Sequence, residues 1–153
     1  MHRITLTLAL LCCTSVATAQ GSRSPVVATP ASLKWGPAPA ILPVGARLAV
    51  LDGDPTKSGA FTMRLLMPSG YRIPPHFHAM DEHVTVISGN LHVGMGDRFD
   101  RKGGIVLHAG TFGMIPTGVH HFAWTTGRTI IQLHGTGPWG LQYVNAADTP
   151  KPR

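Results

Sequence analysis

The 153 residues suffice for one domain with a sizeable core and are too few for two. Charged residues make up only 13%, while Gly and Pro contribute 18 and 13, a composition of short strands joined by many turns. The formal charge of +6 comes from scarce acids, since Arg98, Arg101 and Lys102 form the lone basic cluster and Asp97 and Asp100 interrupt it. That pattern excludes the concentrated basic stripe of a nucleic-acid binder, although its sign could favour an anionic small molecule.

Residues 1–19 read as a secretory signal: His2 and Arg3, an apolar run from Ile4 to Cys13, then Ala17, Thr18 and Ala19 ahead of Gln20. The apolar run is too short to span a bilayer, so a retained membrane anchor is not expected. Leu11 and Cys12 precede the two cysteines where a lipid-attachment site needs a small residue. Cleavage near Ala19 predicts a periplasmic or secreted chain beginning near Gln20. It also removes Cys12 and Cys13, leaving no disulfide and no thiolate. A metal site in the mature chain must then be built from His and carboxylate.

Residues 20–43 are rich in Pro, Ala and Ser and read as an arm, with Leu33 and Trp35 as residues that could dock on the domain. Residues 44–148 are expected to form a single all-β domain, and residues 149–153 a tail. Strands are predicted at Arg47–Leu51, Phe61–Met67, His83–Ser88, Leu91–Gly94, Ile105–His108, Thr111–Ile115, His120–Thr125, Thr129–His134 and Leu141–Val144. Gly89 with Asn90, and Thr126 with Gly127, supply hairpin turns. No run of ten residues carries helical apolar spacing.

Nine His in one small chain draw attention to the stretch from Gly70 to Glu82. In extended backbone, residues two apart share a face, so His76 and His78 can present both imidazoles to one point. Pro74 and Pro75 hold that segment extended, and Glu82 can reach back after a short turn. A third nitrogen can come from His120 or His121, of which alternation lets only one face inward. With His121 inward, Ala123 lies beside it, and His120, Phe122 and Trp124 take the opposite face. His83, His92 and His108 read as surface or packing residues. Arg64, Gln132, His134 and Tyr143 are candidates for lining a pocket. Phe77, Phe112, Met63, Met95 and Met114 read as core or cavity wall.

Gly70, His76, His78, Glu82 and Gly89 match G-x5-HxH-x3-E-x6-G, the first cupin motif. Gly110, Pro116, Gly118 and His121 match the second, G-x5-PxG-x2-H-x3-N, with Thr125 in place of the final Asn. Residues 70 to 125 thus resemble the cupin superfamily. The resemblance implies a double-stranded β-helix (jelly-roll) barrel in which His76, His78, Glu82 and His121 hold one divalent transition metal, and it selects His121 over His120. The missing Asn is not a metal ligand in that family, so its loss puts only a turn contact in question. Three nitrogens and a carboxylate with open positions suit Fe, Mn, Ni, Cu or Zn. The leading expectation is a metal-dependent, dioxygenase-like enzyme for a small organic substrate, with Glu82 also able to act as base. The alternative is a non-catalytic periplasmic module that binds a small molecule or a metal. Small cupins are commonly dimers, so a homodimer is expected as well.

Overall fold

The computed structural model describes residues 24–151; the expected signal peptide lies outside these residues. Eleven strands form: β1 (Gly36–Pro37), β2 (Arg47–Asp52), β3 (Gly59–Met67), β4 (Arg72–Phe77), β5 (Glu82–Ser88), β6 (Asn90–Met95), β7 (Ile105–His108), β8 (Phe112–Ile115), β9 (His121–Thr125), β10 (Thr129–Gly137) and β11 (Gln142–Tyr143). They make two antiparallel sheets, one ordered β1-β2-β3-β10-β5-β8 and the other β11-β4-β9-β6-β7. This is the two-sheet roll that the motifs implied. Among the described residues no helix is long and apolar enough to cross a membrane.

Alternation builds the interior. Phe61, Met63, Leu65 and Met67 of β3 and Ile131 and Leu133 of β10 point inward from the larger sheet. They face Ile73, Leu91, Val93 and Ala123 from the smaller one. Gly89 turns β5 into β6 at φ +78°, and a Cβ there would meet the Arg128 carbonyl oxygen at 2.5 Å, so only glycine fits this turn.

Two strands absent from the predicted set matter for the site. β4 is masked in the sequence by Pro74 and Pro75, which cannot donate to a ladder, and its pairing with β9 shifts register between Ile73 and His76. β1 brings the arm into the larger sheet through Gly36↔Leu48 and Pro37↔Arg47. Ala38 and Leu42 are part of the buried core, so packing carries the domain back ahead of the start expected at residue 44.

All five residues of β9 are buried because its outer face is covered as well. The segment after β6 lays Phe99 over Phe122 and Trp124, with ring centroids 5.0 and 5.5 Å apart. The Arg72 guanidinium sits 3.7 Å from the Phe99 centroid. The charged run from Asp97 to Lys102 therefore carries an aromatic plug at its centre.

Candidate metal centre

His76 lies on β4 directly opposite His121 on β9, with ring centroids 4.1 Å apart. His78 follows just past the end of β4, and its carbonyl accepts the Gly118 N–H at 2.9 Å. Asp81 fixes the same turn by accepting the Thr117 N–H at 2.8 Å and the Thr117 hydroxyl at 3.0 Å. The two motif segments are thus tied to each other by backbone and side chain. Glu82 opens β5 beside them.

The three imidazoles are each about 97% buried, and one ligand atom from each falls within 4.8 Å of the others. Glu82 stands beside this group, with Oε1 3.5 Å from His78 Nε2 and Oε2 3.4 Å from His121 Nε2. Every Nδ1–H donates to a backbone carbonyl: His76 to Pro74 at 2.7 Å, His78 to Gly140 at 2.7 Å and His121 to Val119 at 3.0 Å. A carbonyl can only accept, so these bonds fix the tautomer and leave each Nε2 lone pair toward the centre.

The electrostatics agree with a ligand set. Burial, reinforced by His121, pushes the His76 imidazole down to about 3, so it is neutral. Burial raises the Glu82 carboxyl, but its contact with His121 and the proximity of the His78, His121 and His76 rings outweigh it and hold it below the ordinary range. His78 Nε2 is buried with no hydrogen-bond partner. With Nδ1 already committed to Val119, His121 could donate to Glu82 only as imidazolium. In the neutral forms, acceptors face acceptors, and a cation among them is what satisfies such a set. The residues present therefore fit a divalent metal with three nitrogens and one carboxylate.

The group sits in the wall of a cavity of about 200 Å³ between the sheets. Aliphatic side chains such as Leu65, Ile73, Val93 and Leu133 make most of the lining. Met95, Ile105, Phe112 and Met114, all largely exposed, form its rim on β6, β7 and β8.

His120 points away, as alternation requires: Nδ1 lies 2.6 Å from Asp97 Oδ1 and the ring stacks on Phe77 at 5.0 Å. The pocket expectations for Arg64, Gln132, His134 and Tyr143 need correction. With Met63, Leu65, Ile131 and Leu133 inward, Arg64, Gln132 and His134 must face out. There Arg64 Nε–H donates to Gln132 Oε1 at 3.1 Å, and His134 stacks on His83 at 4.9 Å. Tyr143 packs its ring 6.4 Å from His76 but sends its hydroxyl to the Ile41 carbonyl at 2.8 Å, away from the cavity. His92 stacks on Trp124 and His108 bonds Asn90, both as packing residues. Met63 is core, whereas Met95, Met114 and Phe112 are cavity rim. Thr125, standing where the motif has Asn, donates to the Pro68 carbonyl at 2.6 Å and accepts the Tyr71 N–H at 3.2 Å. It secures the turn entering β4.

Sequence reasoning did not find Trp139 or Gly140. Both lie in an aperiodic stretch, yet Trp139 lines the cavity 6.1 Å from the His78 ring, and the Gly140 carbonyl orients His78. The only available signal was a Trp flanked by Pro138 and Gly140.

Comparison with solved structures gives the same architecture. An acetylacetone dioxygenase from Acinetobacter johnsonii is similar at 16% identity and TM-score 0.63, over 88% of this chain and 86% of that one. The polyketide cyclase RemF from Streptomyces resistomycificus is similar at 16% identity and TM-score 0.63, over 83% and 90%. An RmlC-like cupin from Shewanella frigidimarina is similar at 18% identity and TM-score 0.57, over 74% and 91%. No curated protein matches the sequence. At these identities the likeness shows the fold. Both motifs and the two-sheet roll give the chain the cupin fold, and since residues 34–150 match DUF4437, a domain of unknown function, the chain belongs to that family.

Proposed function

We propose that this chain holds one divalent transition metal, among Fe, Mn, Ni, Cu and Zn, through His76, His78, His121 and Glu82, and oxygenates a small organic substrate beside it. The observation that carries this reading is the convergence of three buried imidazoles, one of them with a partnerless Nε2, beside one carboxylate in the wall of an otherwise apolar cavity. Of these, Fe, Mn, Ni or Cu bound with open positions would supply activation of O₂ there, whereas Zn would only polarise a bound oxygen. A dioxygenation places both oxygen atoms in the product, so the substrate itself provides the electrons. The protein's part is to orient the imidazoles through Pro74, Val119 and Gly140, to keep bulk water out with aliphatic walls, and to offer Glu82 as the one carboxylate able to take a substrate proton. Similarity to an acetylacetone dioxygenase supports the reaction class as a proposal.

The test is metal analysis by mass spectrometry on protein purified without a His tag, beside a variant with His76, His78 and His121 all changed to Ala. About one equivalent of metal, lost in the variant, together with O₂ uptake on a panel of phenols, thiols and enolisable ketones, supports the proposal. Failure to take up any of the five metals sinks it. Metal uptake with a saturable ligand-dependent rise in melting temperature, but no product, favours a binding module, and the absence of any carboxylate but Glu82 from the lining is what favours that second reading. We also propose export through residues 1–19 and a homodimer. N-terminal sequencing of the cellular protein and a solution mass test these two points.

A further inference from the structure

Among the described residues, the cavity lining contains, apart from the three imidazoles and Glu82, one side chain able to form a strong hydrogen bond, Trp139. Its indole Nε1–H is buried and has no partner. The residue is firmly placed, because its backbone N–H donates to the Pro55 carbonyl at 2.6 Å, its ring lies 6.1 Å from His78, and the next carbonyl, of Gly140, orients His78. None of the described residues brings a hydroxyl, amide, ammonium or guanidinium side chain into the same space. An unpaired N–H beside a metal-ligand cluster, in walls that offer nothing else polar, is a donor waiting for an acceptor.

We propose that Trp139 is the second polar anchor of the ligand, which is a compact hydrocarbon carrying two neighbouring oxygens, one directed to the metal and the other accepting the indole N–H. The proposal rests on the metal-binding reading above and narrows it to a substrate class. Hydroxylated or charged bodies are disfavoured because the walls would strip their water and return no hydrogen bond. A planar or branched hydrocarbon body is favoured by burial of its surface. Size follows from the cavity, whose volume of about 200 Å³ suits a compact body. Any part of the body longer than that emerges between Ile105 and Phe112, at an apolar rim that is itself unusual for a solvent-facing surface.

Zinc is diamagnetic, so the zinc-loaded protein labelled with ¹⁵N-tryptophan can be followed by NMR while tropolone is added, with zinc retention checked after gel filtration. Tropolone carries two adjacent oxygens on an apolar ring, and oxalate carries the same oxygens without one. The expected result is that tropolone binds more tightly than oxalate and moves the Trp139 indole N–H proton downfield, while the signals of Trp35 and Trp124 stay. The Trp139 signal is identified by its loss in Trp139→Phe, or by nuclear Overhauser contact with His78 should that variant not fold. Trp139→Phe keeps the ring contact and removes the donor, so tropolone affinity should fall about fivefold with zinc affinity unchanged. An unmoved Trp139 signal, equal affinity for oxalate, or a fully retained tropolone affinity in the variant would each overturn the assignment while leaving the metal site standing. No zinc uptake at all would remove the metal reading and this inference together.

Discussion

Changing Glu82 to Gln should move the stability of the metal-free and metal-loaded protein in opposite directions. Without metal, the carboxylate faces His78 Nε2 at 3.5 Å and His121 Nε2 at 3.4 Å, both of them acceptors once Nδ1 is committed to a carbonyl. A glutamine amide replaces that opposition with a donor, and one net hydrogen bond contributes about 1 kcal/mol. The described domain of residues 24–151 has an unfolding entropy of roughly 0.27 kcal/mol/K at ~2.1 cal/mol/K per residue, so the metal-free variant should melt about 4 °C higher. Zinc at a hundred times its wild-type Kd adds ~2.7 kcal/mol, a rise of about 10 °C for the wild type. If the amide weakens zinc a hundredfold, the same concentration adds less than about 2 °C to the variant. The assay is a circular dichroism melt at pH 8, above the usual imidazole range near ~6.5, first with a chelator and then with zinc. A metal-free variant that melts below the wild type at pH 8 would refute the reasoning. It would mean that Glu82 and the imidazoles are a satisfied hydrogen-bonded core and not a set of opposed acceptors.

Gly94→Ala places a Cβ 2.2 Å from Phe122 Cζ, and Phe122 is locked between Phe99 and Trp124, so urea unfolding should show a loss of about 1–3 kcal/mol. Thr125→Val removes the hydroxyl that serves the Pro68 carbonyl and the Tyr71 N–H, which keep a 3.3 Å bond to each other, and should cost about 0.5–1.5 kcal/mol in the same assay while leaving zinc affinity unchanged. Asp54 is held down at about 2, from 3.8, by the Thr56 hydroxyl, Lys57 and the Thr56 N–H. A depressed carboxyl stabilises the fold above its unfolded value and stops doing so as pH falls through its folded one. The destabilisation caused by Asp54→Asn should therefore be full at pH 7 and disappear in melts taken as pH approaches 2.

The strands that alternate cleanly were legible because one face of each is apolar. β3, β5, β6 and β10 lie where Val, Ile, Leu, Met and Phe recur every second residue. The four proposed ligands were legible for a different reason, since their spacing follows from two short turns and the pairing of β4 with β9. What failed was direction across a sheet. Arg64, Gln132 and His134 look like pocket residues by chemistry, but the inward positions of Met63 and Leu133 already exclude them, and applying parity to those strands would have found this. β4 failed as a strand because its two prolines break the ladder pattern, although they were rightly read as extended. Trp139 and Gly140 were beyond reach in principle. Their roles depend on a contact between segments some 60 residues apart, which no local period encodes.

The three imidazoles are not oriented in the same way. His76 and His121 each lean on the carbonyl two residues earlier in their own segment, so their aim is fixed as soon as those strands pair. His78 leans on Gly140, in a stretch that reaches it only after β10 has crossed the larger sheet. The cluster is thereby divided: a two-nitrogen half-site belongs to β4 and β9, and the third nitrogen is aimed by residues 138–141. A bound ion would tie that stretch to the two strands, so the rate of metal release should follow the opening of one loop and not the breathing of the whole roll.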